Sequence, residues 1–277
     1  MKTLTLNNGV ELPLLGFGTY QIQGEECTKS VLTAIGHGYR LIDTAEAYGN
    51  EAAVGEAIVN CGVARGELFI TTKVNFRSYE NAAETVKTSL RNLRTDYLDM
   101  VLLHWPFGNY YAAWRELEKL YDEGKIRAIG VSNFDPDRLI DLTEFNDVTP
   151  AVNQVETHLL CQRKAEHCWF EKYHVAHQAY APFGQGRANE MFDSPVLKEI
   201  AAAHGKTPRQ VALRYLIQMG LSVIPKSVRE ERIAENIDIF DFALSADELI
   251  SLAALDTATP MIGKAESPEK VEFAMTW

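Results

Sequence analysis

Eight short apolar, β-rich runs recur along the chain, at 14–17, 41–43, 68–74, 98–104, 126–131, 151–155, 175–180 and 221–224, and most are followed by a segment with helical periodicity. Near-continuous apolar character, rather than strict alternation, marks strands that are covered on both faces, as parallel strands are when helices pack outside them. Eight βα units in 277 residues predict an α/β fold, a (β/α)8 TIM barrel forming one domain over 1–277. The first residues read differently. Thr3-Leu4-Thr5-Leu6, the turn Asn7-Asn8-Gly9, and Val10-Glu11-Leu12 predict an N-terminal β-hairpin that caps one end of the barrel.

Several helix boundaries are written in the sequence. Thr207-Pro208-Arg209-Gln210 combines an N-cap, a proline in the first turn and a capping-box glutamine, and Gly220 closes that helix. Asp135-Pro136 opens another in the same way, and Ser245-Ala246-Asp247-Glu248 predicts an extra C-terminal helix beyond the eighth unit. Lys plus Arg number 27 against 38 for Asp plus Glu, a net charge of −11, which argues against nucleic acid or an anionic membrane as main partner. No apolar run reaches the roughly 18–20 residues of a membrane span. The N-terminus has no signal-peptide pattern. Cys27, Cys61, Cys161 and Cys168 form no C-x-x-C pair and read as reduced thiols of a cytoplasmic, monomeric protein.

In such a barrel the reactive groups gather at the C-terminal ends of the strands. The second run ends in Asp43, the third carries Lys73, the fourth ends in His104, and Tyr48 lies in the loop after Asp43. Together they make a proton donor for a carbonyl oxygen. A free tyrosine, with a pKa of about 10, is a poor acid at neutral pH, and a lysine cation beside it is expected to lower that value. Asp43 would hold Lys73, and His104 would orient the carbonyl oxygen or share in the proton transfer. The set contains no nucleophile, so the attacking species comes from elsewhere.

The segments Gly36-His37-Gly38-Tyr39-Arg40-Leu41-Ile42-Asp43-Thr44-Ala45, Tyr97-Leu98-Asp99-Met100-Val101-Leu102-Leu103-His104-Trp105-Pro106, Gly130-Val131-Ser132-Asn133-Phe134 and Ile224-Pro225-Lys226-Ser227 resemble, in order and over most of the chain, the signatures of the aldo-keto reductases. The resemblance implies a barrel that binds NADPH in extended form, with the nicotinamide supplying hydride. It places the family's catalytic set on Asp43, Tyr48, Lys73 and His104. Asp43, Gly18, Thr19 and Tyr20 match positions beside the nicotinamide and pyrophosphate. Ser132, Asn133 and Gln154 match those that hold the carboxamide, and Tyr180 matches the ring on which the nicotinamide stacks. Ala181, Phe183 and Gln185 match the pyrophosphate loop. Lys226, Ser227, Val228, Arg229 and Arg232 match the site of the 2′-phosphate, and Glu235 and Asn236 match adenine contacts. Tyr20, Phe76, His104 and Trp105 are the expected substrate walls.

Ser227-Val228-Arg229-Glu230 also reads as a capping box opening a helix, whose N-terminus, with Lys226 and two arginines, favours an anion and hence NADPH over NADH. Ala181 stands where many relatives have serine, and Phe76 stands near the position of a common tryptophan. The resemblance is closest to compact bacterial-type members such as glyoxal and diketogluconate reductases. The connection 104–114 is short, so the expected site is open, has no fixed cation at its mouth, and accepts many small carbonyls. Gly16-Phe17-Gly18 is not a dinucleotide fingerprint, because Gln21 replaces its third glycine. His158, Cys161, His167 and Cys168 have poor spacing for zinc, so no metal is expected. His177 should face the helix layer. Two rival readings are a metal-dependent barrel hydrolase, for which only Asp43 and His104 qualify as ligands, and a non-catalytic binding barrel.

Overall fold

The structure, a computed structural model, describes residues 2–185, 191–262 and 267–276. A hairpin of β1 (Thr3–Thr5) and β2 (Glu11–Pro13) precedes eight parallel strands: β3 (Gly16–Gly18), β4 (Leu41–Asp43), β5 (Phe69–Val74), β6 (Leu98–Leu103), β7 (Ile126–Ser132), β8 (Val152–Glu156), β9 (Ala176–Tyr180) and β10 (Ser222–Val223). Neighbours in sequence are neighbours in the sheet. The sheet closes on itself where Leu15 bridges Val223, whose N–H donates to the Leu14 carbonyl at 2.8 Å. The (β/α)8 barrel expected from the eight runs is therefore present.

Helices α1 (Gly24–Gly36), α2 (Glu51–Asn60), α3 (Ala82–Asn92), α4 (Tyr110–Asp122), α5 (Pro136–Glu144) and α6 (Lys164–Lys172) follow β3 to β8 in turn. After β9 come α7 (Pro195–Ala203) and α8 (Pro208–Gln218), and after β10 α9 (Glu230–Ile237), α10 (Ala246–Ala253) and α11 (Pro268–Ala274). The capping boxes at Thr207–Gln210 and Ser245–Glu248 are both formed. Two cap readings need correction. Asp135 stands at the N-cap of α5 but makes no cap hydrogen bond, and lies 3.7 Å from Arg163 instead. Ser227 does not cap a helix: the chain bends at Val228 and is extended at Arg229, α9 starts at Glu230, and the Ser227 hydroxyl accepts from the Arg229 N–H at 3.1 Å.

Pleating decides what faces the barrel axis, since alternate residues share a face. The interior cluster takes Leu41, Phe69, Met100, Leu102, Ala128 and Val152 from the lower half of the strands. Two-residue steps upward from these positions reach Asp43, Lys73, His104, Ser132, Gln154 and, on the next strand, Gln178. One register thus gives an apolar floor and a polar rim. Gly130 lies in that register because a Cβ there would stand 2.6 Å from the Val152 carbonyl oxygen and 2.8 Å from Leu102. The hairpin closes the floor: Leu6 and Leu12 join the interior cluster, and the amides of Asn7 and Asn8 donate to the carbonyls of Pro150 and Arg127. Nearby, fully buried Asp99 accepts from Arg65, Arg127 and the Ile70 N–H.

His177, of the opposite parity, faces α6, as expected. Its ring meets His167 at 3.1 Å and Thr157 at 2.8 Å and takes Phe170 edge-on. Among the described residues no helix is long and apolar enough to cross a membrane, and no three His, Cys, Asp or Glu side chains gather as a metal site.

Candidate active site

Lys73, Asp43, Gln154 and Gln178 of the polar rim form one hydrogen-bonded chain. Asp43 Oδ1 accepts from Lys73 Nζ at 2.5 Å, and Oδ2 accepts from Gln154 Nε2 at 2.8 Å. Gln154 Nε2 also donates to Gln178, which donates to Ser222, which donates to the Pro13 carbonyl. The Lys73 ammonium gives its other hydrogen bonds to the Thr44 carbonyl at 2.9 Å and to the Tyr48 hydroxyl at 3.4 Å. Asp43 and Lys73 are both buried, and a buried pair of charges is tolerated where its remaining hydrogen-bonding capacity is filled.

Tyr48 ends a short 3-10 turn, Glu46–Tyr48. Gln23 donates to its carbonyl at 2.7 Å, and Glu46 accepts from the Asn75 N–H and from the Ser78 hydroxyl, joining this turn to the loop after β5. The Tyr48 pKa lies well above the ordinary tyrosine value, chiefly from burial and then from the charge of Asp43 and the neighbouring phenols Tyr180 and Tyr20. That corrects the expected lowering by Lys73. Burial disfavours a phenolate, and the Lys73 charge is compensated by Asp43 at contact. Lys73 itself is pulled down by burial and held up by Asp43. Burial, then the Lys73 charge, pushes the His104 pKa down to about 3, so this imidazole is neutral at physiological pH. Its Nδ1 is buried without a hydrogen-bond partner, and its ring centre lies 5.8 Å from that of Tyr48. The arrangement can donate a proton from Tyr48 and orient an oxygen with His104.

The carried-over cofactor positions fall into two groups. In the first, Tyr180 donates to Asn133 Oδ1 at 2.7 Å, Asn133 donates to Ser132 Oγ and to the His104 carbonyl, and Ser132 donates to the Gln154 carbonyl. Thr19 donates twice to the Asp43 carbonyl, Tyr20 is half exposed with its ring 5.0 Å from Tyr48, and Ala181 follows β9 with φ 48. Phe183 meets Phe192 at 5.7 Å, and exposed Gln185 borders the residues outside the description. In the second group, Lys226 and Val228 are exposed, Arg229 pairs with Glu231 at 2.6 Å, Arg232 is half-buried, and Glu235 accepts from the Thr207 hydroxyl. Asn236 is buried with its Oδ1 lacking a partner. Gly18 joins the groups: its N–H donates to the Pro225 carbonyl, and a Cβ there would stand 3.3 Å from the Ile224 oxygen and 3.7 Å from Lys226.

The expectation of an open mouth without a fixed cation is overturned. The Glu156 carboxylate, buried at the end of β8, accepts from the N–H groups of Met261 and Ile262 at 2.6 and 3.0 Å and so pins the tail over the rim. Helix α11 then packs Ala274 against an aromatic group of Trp105, Phe107 and Phe76. Lys270 lies 4.9 Å from the centre of the Trp105 ring, and Arg77 donates to the Met275 carbonyl. Trp105 is only 7% exposed, and Tyr79 brackets its peptide, accepting from its N–H and donating to its carbonyl. Reasoning from the sequence missed Gln178, Glu156 and Lys270. Glu156 carried a signal, an ionisable residue at a strand end, and Ser267-Pro268 carried the same cap-and-proline signal as Thr207-Pro208.

Residues 14–257 match the sequence profile of the Aldo/keto reductase family. A glyoxal reductase of Bacillus subtilis (strain 168) is 45% identical over 258 residues, 92% of this chain and 92% of that protein. The methylglyoxal reductase DkgA of Escherichia coli (strain K12) is 40% identical over 273 residues, 98% of this chain and 97% of that one. Among solved structures, MGS-M4, an aldo-keto reductase from a Medee basin deep-sea metagenome library, superposes with a TM-score of 0.93 at 39% identity, covering 96% of this chain and 99% of its own. A Bombyx mori aldo-keto reductase in complex with NADP gives 0.88 at 31% identity, covering 94% of each chain.

Proposed function

This chain belongs to the aldo/keto reductase family, and from that premise we propose that it uses NADPH to reduce small aldehydes, dicarbonyls and ketones to alcohols, with Tyr48 as the general acid. The observation that carries this reading is the contact in which Lys73, held by Asp43, donates to the Tyr48 hydroxyl. Because the phenol oxygen accepts from Lys73, its own proton is free to be donated to a carbonyl oxygen. Proton donation of this kind contributes about 10²–10⁴-fold. The neutral His104 donates a hydrogen bond to the same oxygen and orients it. As Tyr48 loses its proton, the adjacent ammonium stabilises the phenolate, and Gln154 keeps Asp43 aligned beneath it.

NADPH, when bound, supplies the hydride that attacks the carbonyl carbon. Two features of the chain fit such a group. The orphaned Asn236 Oδ1 suits a donor such as an adenine amino group, and the bare Gly18 leaves the chain free of a side chain where the two groups of carried-over residues meet. Lys226, Arg229 and Arg232 would hold the 2′-phosphate, Ser132, Asn133 and Gln154 the carboxamide, and Tyr180 the nicotinamide ring. The NADP held by the Bombyx mori relative and the dicarbonyl names of the bacterial relatives support this assignment. The same reading has the protein act in the cytoplasm, as a monomer, on a freely diffusing carbonyl. Its four unpaired thiols agree with a reducing compartment.

The test is NADPH oxidation with methylglyoxal, a short aliphatic aldehyde, a benzaldehyde and a keto-sugar, with and without a chelator. We expect turnover of several of these, with aldehydes ahead of hindered ketones and no effect of the chelator. Loss of activity on chelation would favour the metal-dependent alternative. Absence of turnover would favour a binding barrel.

A further inference from the structure

We infer that Gln178 is a positioning residue: it fixes the amide plane of Gln154, and so the atom that Gln154 offers to the nicotinamide carboxamide. This inference rests on the cofactor binding proposed above. Three polar side chains stand side by side in the barrel, because Gln154 pairs with Gln178 across β8 and β9, and Gln178 pairs with Ser222 across β9 and β10. Gln178 and Ser222 are fully buried and Gln154 nearly so. A buried amide costs free energy unless its hydrogen bonds are made. Here they join into a line that runs from Asp43 to the end of the hairpin.

The two ends of that line set its polarity. At one end the Pro13 carbonyl can only accept, so the Ser222 hydroxyl gives its single proton there, at 3.0 Å, and accepts from Gln178 Nε2 at 3.1 Å. Gln178 therefore turns its oxygen to Gln154, 2.7 Å from Nε2. At the other end the Asp43 carboxylate accepts from the same Nε2 at 2.8 Å. Both hydrogens of the Gln154 amide are thus committed, and its oxygen is the atom it presents to an incoming group. Such an oxygen suits the NH2 of a carboxamide. Asp43 alone does not secure this arrangement. One N–H···O contact leaves an amide free to pivot about it, whereas two contacts fix its plane. Ser222 acts one step further out, by keeping Gln178 from turning over. A buried network with every member satisfied holds a single arrangement, and removal of one member loosens the rest.

The test is a tryptophan-fluorescence titration with NADPH and with its 3-acetylpyridine analogue, whose acetyl group keeps the carbonyl and lacks the NH2. It is run on the wild type, Gln178→Met, Ser222→Ala and Ser222→Thr, and reads binding without turnover. The wild type should bind NADPH more tightly than the analogue. That preference should fall at least about threefold in Gln178→Met, the size of one weakened neutral hydrogen bond, and less steeply in Ser222→Ala, while Ser222→Thr, which keeps the hydroxyl, retains it. A preference within about 1.5-fold of wild type in both Gln178→Met and Ser222→Ala overturns the inference even if both ligands bind more weakly, since a packing defect weakens the two alike. If the wild type binds neither ligand, or both equally, the assignment of Gln154 to the carboxamide fails and takes this inference with it.

Discussion

Lys73 Nζ lies 3.4 Å from the Tyr48 hydroxyl oxygen and is the donor in that contact. The direction matters. A phenol that accepts from an ammonium keeps its own proton for another acceptor, and the ammonium is in place to meet the charge left behind. Asp43 holds Lys73 at 2.5 Å, so the three groups act as one unit.

Groups that act as a unit give strongly non-additive losses. Asp43→Asn and Lys73→Met should each lower kcat for methylglyoxal by about 10²-fold or more. The double variant should be no more than about threefold worse than the poorer single one. Steady-state kinetics on the three proteins check this. A double variant showing the product of the two single losses would mean that Asp43 and Lys73 contribute separately.

The pH profile has a definite sign. His104 is depressed to about 3, so it stays neutral as pH falls through the usual histidine range. Tyr48 is raised by burial and so keeps its proton through neutral pH. Reduction needs the protonated phenol. Its kcat/KM should be flat from about pH 5 to 9 and decline only above the ordinary tyrosine value of about 10. A measured inflection near pH 6.5 that disappears in His104→Gln would contradict this assignment.

Asp43, Lys73 and His104 were legible in the sequence because strand ends are easy to locate and pleating leaves one answer for which side chain faces inward. The apolar residues Leu41, Phe69 and Met100 lie in the same register as the three polar ones. Local readings failed where a distant contact decides. The supposed capping box at Ser227–Glu230 gives way to an extended backbone at Arg229. The tail over Trp105 depends on Glu156 meeting Met261, partners separated by 105 positions. No periodicity reports such a pairing. The strand-end rule, applied to β8 as it was to β4, β5 and β6, would have singled out Glu156.

Cofactor choice turns on Arg232, half-buried on α9. Arg232→Ala should weaken NADPH binding by about 10- to 100-fold, as expected for a lost charge-assisted contact, and weaken NADH binding by less than about threefold. Fluorescence titration with both cofactors measures the two constants. Equal losses would move Arg232 away from the 2′-phosphate, and a wild type that already prefers NADH would remove the role of the basic cluster.

The outer face of β6 makes a prediction about stability alone. Asp99 is fully buried and accepts from Arg65 and Arg127, each at 2.7 Å, and from the Ile70 N–H at 2.9 Å. Asp99→Ala leaves the buried Ile70 N–H without an acceptor and the Arg65 guanidinium without its counter-charge, and should cost about 3–5 kcal/mol, with Arg127 contributing little because it is half exposed. Urea unfolding monitored by tryptophan fluorescence reads this directly. A loss below about 1 kcal/mol would mean that water replaces the carboxylate.

The most direct test of the central claim is the turnover of Tyr48→Phe with methylglyoxal and NADPH, measured beside an NADPH titration of the same variant. The substitution removes the hydroxyl and leaves the ring. Turnover should fall by at least about 10²-fold while the NADPH dissociation constant stays within about threefold of wild type. A variant that retains more than about a tenth of wild-type turnover would show that the proton comes from another group.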